Sequence, residues 1–130
     1  MVNPILSLGH DEFKALGCPD DRFAAVFTGR VQIYQAGSYD FFTLSDDGSH
    51  LFVDGSMVVD NGGLHGSEEK QGAVQLSAGF HNLKVDFFEN AGGAELRVFY
   101  RGLDTRGEKL EIDALLPPAS LEGEFRCSMY

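Results

Sequence analysis

At 130 residues the chain suffices for one domain around a single core, and 43% hydrophobic against 23% charged residues excludes a disordered segment. Twenty acids against ten bases leave a formal charge of −10, a field that repels nucleic acid and anionic lipid and attracts cations, so a nucleic-acid partner is set aside. No apolar run reaches the ~18 residues of a membrane span, and the opening MVNPILSLGHDEF has neither the basic nor the apolar region of a signal peptide, so no membrane insertion is expected.

In chain order, Asp11 is placed to cap a short helix over residues 12–16, which Gly17 and Pro19 would end. From Phe23 the hydrophobic period becomes two. Residues 23–27 and 30–35 read as strands, punctuated by Gly29 and closed by Ala36-Gly37-Ser38. Residues 39–44 and 50–54 follow, separated by the turn around Asp46-Asp47-Gly48-Ser49. Residues 57–60 lie between Asp54-Gly55 and Asn61-Gly62, tight-turn pairs whose members tolerate positive φ. Residues 73–76, 81–88 and 94–100 alternate cleanly; Leu83, Val85 and Phe87 face one way and Asn82, Lys84 and Asp86 the other. Residues 101–107 read as a polar turn, 110–112 as a last short strand, and the tail from Pro117 as irregular.

Turn signals recur about every 8 to 12 residues with few helical segments between them, which favours an antiparallel sandwich or barrel over a parallel sheet. The same period predicts a core of Phe27, Phe41, Leu51, Val53, Leu76, Leu83, Val85, Phe87, Leu96 and Val98. One domain is expected over 1–130, with its core in 23–113 and the segments 1–22 and 114–130 packed on it. Cys18 and Cys127 stand near opposite ends, without the spacing of a zinc site. Bonded, they would close a loop of about 110 residues worth ~4.7 kcal/mol and point to an oxidising compartment; two buried thiols fit the spacing equally well.

The stretch SDDGSHLFVDG raises a chemical question, because two adjacent carboxylates repel unless solvated, hydrogen-bonded or neutralised by a cation. An exposed turn would explain Asp46 and Asp47, since Asp bonds readily to nearby backbone, and the same reading suits Asp54, Asp60 and Asn61. Calcium would explain the pair too, for it takes about six to eight oxygen ligands and cancels their repulsion. For an enzyme the residues fall short: there is no Gly-x-Ser-x-Gly elbow around Ser45 or Ser49, and adjacent Asp46 and Asp47 sit too close to flank a glycosidic bond. Of the histidines, His50, His65 and His81 could contact a sugar or ligate a transition metal, His65 on the glycine-flanked segment 62–66, and of these His81 reads as structural.

The succession Phe27-Thr28-Gly29, Gly37-Ser38-Tyr39-Asp40-Phe41, Ser45-Asp46-Asp47-Gly48-Ser49, Leu51-Phe52-Val53-Asp54-Gly55, Val58-Val59-Asp60-Asn61, Leu76 to His81, Phe87-Phe88-Glu89 and Gly92 to Leu96 resembles the PA14 domain family over roughly 23–100. The resemblance implies an all-β fold, an antiparallel β-sandwich of jelly-roll type. It also implies, from the family's lectin members, that Asp46 and Asp47, joined by a cis peptide, hold a calcium ion that in turn holds sugar hydroxyls. By the same resemblance Asn90 would add an amide oxygen and Gly92 a carbonyl to the ion, and the ion would leave positions for sugar hydroxyls whose orientation Glu89 or Asn90 would fix; His65 is a ligand candidate from its place in the loop. The chain has no Trp to stack on a sugar ring, and it lacks the Cys-rich insertion of yeast adhesins.

The reading is therefore a non-catalytic, calcium-dependent carbohydrate-binding module whose partner is a carbohydrate or glycoprotein. The alternative is a protein-interaction or architectural module of a larger assembly. As a complete chain it would work inside the cell; as a mature or excised piece, outside the cell or at its surface.

Overall fold

The computed structural model describes residues 7–9, 11, 14, 17–19, 22–90, 93–112, 119–120 and 125–129, with backbone alone at 7, 8, 119, 120 and 125–129. The described strands are β1 (Ser7–Gly9), β2 (Phe23–Ile33), β3 (Gly37–Asp46), β4 (Gly48–Val53), β5 (Ser56–Asn61), β6 (Glu68–Leu76), β7 (Gly79–Glu89), β8 (Glu95–Arg101), β9 (Leu110–Glu111), β10 (Ala119–Ser120) and β11 (Phe125–Met129). They form two sheets, one ordered β1-β8-β3-β6 with β9 also on β8, the other β10-β2-β7-β4-β5 with β11 also on β2. Every pairing is antiparallel.

The alternation read from the sequence is what builds the two layers. Along β2 the residues Phe23, Ala25, Phe27, Val31 and Ile33 are buried, and along β7 Leu83, Val85 and Phe87, so each strand turns one apolar row inward. Tyr39 and Phe41 of β3 and Leu96, Val98 and Tyr100 of β8 come from the other sheet into the same cluster. All ten core residues expected from the spacing are buried. Burying each of the larger ones contributes about 1.5–3 kcal/mol, so the two inner faces hold the sheets together.

Four expectations change. Gly29 does not divide β2, because it takes an inward place in the same period and the ladder to β7 runs unbroken from Phe23 opposite Glu89 to Ile33 opposite Gly79. The strand expected at 73–76 begins at Glu68; its first residues are exposed at a sheet edge, so they carry charge instead of alternation. The polar turn at 101–107 contains a 3₁₀ turn at Leu103–Thr105, where the Asp104 carboxylate accepts the Tyr34 and Gln35 N–H groups at 2.8 and 2.9 Å. The tail is not irregular where described: β10 and β11 lie along β2 and satisfy its outer edge.

The short helix expected over 12–16 is not among the described elements, and most of it lies outside the described residues. Asp11 and Lys14 have helical backbone, and Gly17, at φ +91°, donates its N–H to the Lys14 carbonyl at 3.0 Å. The cysteine question does resolve: Cys18 is buried and disulfide-bonded, and the chain's other cysteine, Cys127, stands on β11 with its backbone opposite Ala25.

Candidate functional site

β3 runs out at Asp46 and β4 begins at Gly48, so Asp47 is the whole connection. The Asp46–Asp47 peptide is cis. On either side of this turn Ser45 and Ser49 face inward, and their hydroxyls meet across it at 2.7 Å. Glu89 ends β7 beside the turn, and Asn90 follows it with its backbone N–H donating to Asp47 Oδ2 at 2.7 Å. Carboxylate oxygens of Asp46, Asp47 and Glu89 thereby come within 4.8 Å of one another.

This cluster is not a solvated surface patch: Glu89 is 0% exposed and Asp47 7%. Burial holds the Asp46 carboxyl above the ordinary carboxylate range, and the hydrogen bond and charge of Asp47 push the same way; Glu95 adds to this and His65 opposes it. Three carboxylates so close, two of them buried and the third half-buried, favour a cation among them. The donor set is all oxygen, which suits a hard ion such as calcium and not zinc or copper.

Over the turn lies the segment 62–67. A Cβ on Gly48 would stand 2.4 Å from the Phe88 ring and 2.7 Å from the Gly63 carbonyl oxygen, so only glycine lets the segment approach the acids this closely. His65 has both ring nitrogens against backbone carbonyls, Nδ1 on Gly66 at 2.7 Å and Nε2 on Asn61 at 3.0 Å. Burial would lower its pKa, yet those two bonds and the charges of Glu68 and Asp47 raise it above the usual histidine value. With both nitrogens engaged, His65 pins the segment and has none left to reach a sugar or a metal.

The expected site residues thus fall in unequal places. Asp46 and Asp47 are together as read, and Asn90 reaches Asp47 through its backbone N–H. Glu89, expected at the sugar, is buried with the two aspartates. Gly92 lies outside the described residues. His50 stands away on the outer face of β4, 3.3 Å from Asp60 Oδ1, and His81 is tied to the Asp54 carboxylate at 2.6 Å and the Ser77 carbonyl at 2.7 Å.

Sequence reasoning missed Asn61. Read as a turn residue, it is 1% exposed, and its Nδ2 lies within hydrogen-bond distance of the Thr43 carbonyl (3.1 Å), Thr43 Oγ1 (3.3 Å), Ser45 Oγ (3.2 Å) and the Glu68 carbonyl (2.9 Å). The signal was present in the period, since Asn61 stands two residues beyond the fully buried Val59.

Comparison with known proteins agrees with this architecture. The PA14 domain family matches residues 8–113. The anti-sigma-I factor RsgI3 of Acetivibrio thermocellus is 25% identical over 107 residues, covering 78% of this chain but 17% of that protein, so the chain spans a small part of its curated relative. Among solved structures, an anti-sigma factor domain-containing protein superposes with a TM-score of 0.76 at 21% identity, over 87% of this chain and 39% of that one. The PA14 sugar-binding domain from an RTX adhesin superposes with a TM-score of 0.66 at 26% identity, over 78% and 55%.

Proposed function

The chain belongs to the PA14 domain family, and from that premise we propose that it is a non-catalytic module that binds carbohydrate through a calcium ion held by Asp46, Asp47 and Glu89. The observation that carries the reading is the meeting of three carboxylates, two of them buried and that of Asp46 half-buried, at the β3–β4 turn. Bound there, calcium would supply open coordination positions for sugar hydroxyls. The protein's own part is to hold the acids: Asn90 N–H fixes one oxygen of Asp47, and the inward serines fix the turn. Likeness to the sugar-binding domain of the adhesin supports the ligand class, and the buried disulfide at Cys18 supports a place in an oxidising compartment.

A second reading has its own observation, the likeness to anti-sigma factors. In it the chain is one part of a larger protein, and its partner is another protein. Calorimetric titration with calcium, carried into the millimolar range where extracellular modules bind (Kd about 10⁻⁴–10⁻³ M), is the test, followed by a glycan array with and without chelator. Calcium binding with chelator-sensitive glycan capture is the expected result. Calcium binding without glycan capture leaves the second reading, and no calcium binding removes the first.

A further inference from the structure

Four polar side chains lie beneath the acid turn at almost no exposure: Thr43, Ser45 and Ser49 at 0% and Asn61 at 1%. Burying hydroxyls and amides is unfavourable unless each finds partners, and a connected buried network fixes one arrangement more sharply than apolar packing does. This one is connected. Ser49 Oγ donates to Thr43 Oγ1 at 3.0 Å, Ser45 and Ser49 meet across the turn, and Asn61 Nδ2 reaches Thr43, Ser45 and the Glu68 carbonyl.

Asn61 also reaches outward. Its backbone carbonyl meets His65 Nε2, so the residue that grips the strand before Asp46 also anchors the segment whose Gly63 carbonyl packs on Gly48. Its side-chain Oδ1 is buried without a hydrogen-bond partner, so the residue serves through its N–H donors. We infer that Asn61 is the positioning residue of the ion site, setting the Asp46–Asp47 turn and the 62–67 segment against each other, with Ser49 as brace across the turn. The inference rests on the calcium reading above, and it adds a residue that touches neither ion nor sugar. A carboxylate that swings away from its neighbours leaves a coordination place to water, so loosening the hub should act on the ion and not only on the fold.

Asn61→Leu keeps the approximate volume and removes both donors. In the folded variant the calcium Kd should rise about 10–100-fold, as for residues that orient metal ligands. Terbium(III), luminescent in the same site, should carry more bound water than in the wild type, read from decay rates in H₂O and D₂O. A purely structural role would lower the melting temperature without ion and leave the terbium water count unchanged. Should Asn61→Leu fail to fold, Ser49→Ala removes the brace alone and should weaken calcium about two- to tenfold, with the same gain of water. Wild-type affinity and wild-type water count in a folded variant overturn the inference while the calcium reading stands. A wild-type chain that binds neither ion overturns both.

Discussion

Two neighbouring aspartates meet a third carboxylate, Glu89, from another strand, and on the proposed reading one cation shared by all three offsets their repulsion. Asp46→Asn keeps the shape and removes one charge from that cluster. Because burial and Asp47 already hold the Asp46 carboxyl above its usual range, its ionised form weighs against folding at neutral pH. Without calcium the variant should therefore melt at or above the wild type. With calcium at a hundredfold excess over Kd the wild type should gain about 2.7 kcal/mol, and the variant should lose most of that gain. Thermal melts of both proteins in calcium and in chelator check the prediction; identical responses would reduce Asp46 to a turn residue. At the far end of β4, His81 and Asp54 follow another logic. Burial would lower His81, but the Asp54 carboxylate and the Ser77 carbonyl raise it. Burial would raise Asp54, but the His81 and Asn82 hydrogen bonds lower it. The histidine's contribution is complete below its unfolded pKa of about 6.5 and fades as pH rises through the raised folded value; the aspartate's is complete above about 3.9 and fades as pH falls through the lowered one. The melting temperature in chelator should decline as pH rises from about 6.5 upward, and His81→Gln should flatten that decline.

Elements with a clean period of two were readable, because an inward row of Phe, Leu and Val leaves the same mark whatever the partner strand. Strands without that row were not: the charged start of β6 and the short β1, β10 and β11 owe their existence to edges of β8, β3 and β2 that only the assembled sheets present. The site divides the same way. Asp46 and Asp47 were visible as adjacent letters, whereas Glu89 meets them from another strand and Asn61 reaches Ser45 from 16 positions away, and no local pattern reports such meetings. Gly72 shows how tightly one strand constrains another. A Cβ there would lie 1.7 Å from the Val58 carbonyl oxygen of β5, which is backbone and cannot rotate aside. Gly72→Ala should force β5 away from β6 and cost about 1–3 kcal/mol, the range for overpacking. Since β5 ends at Asn61, calcium affinity should fall with it. Gly66→Ala is the control, for nothing stands within 4 Å of its Cβ, and its stability should stay within about 0.5 kcal/mol of wild type. Chemical denaturation of both variants, beside calcium titration, tests the pair.

For the molecule as a whole, the disulfide at Cys18 decides how much of the fold survives outside an oxidising compartment. The sheets already share a single core, so the bond is not needed to define the architecture. Its effect falls mainly on the unfolded chain: closing a loop of about 110 residues removes conformations that folding would otherwise have to give up, worth ~4.7 kcal/mol in the chain-entropy model. Against a total stability of about 5–15 kcal/mol for a domain, that is a third or more of the margin. Cys18 is also 6% exposed, so attack on its sulfur is shielded and reduction through it should follow the timescale of unfolding. Dithiothreitol at room temperature should therefore act slowly on the folded protein, while reduction in denaturant followed by alkylation and refolding should give a chain that melts about 15 °C lower. Calorimetric melts of oxidised and alkylated protein, with intact mass to count alkylated thiols, measure both halves of the claim. A refolded, doubly alkylated chain that melts with the oxidised one would show that core and sheet pairing carry the stability alone, and would remove the bond as an argument for where the protein works.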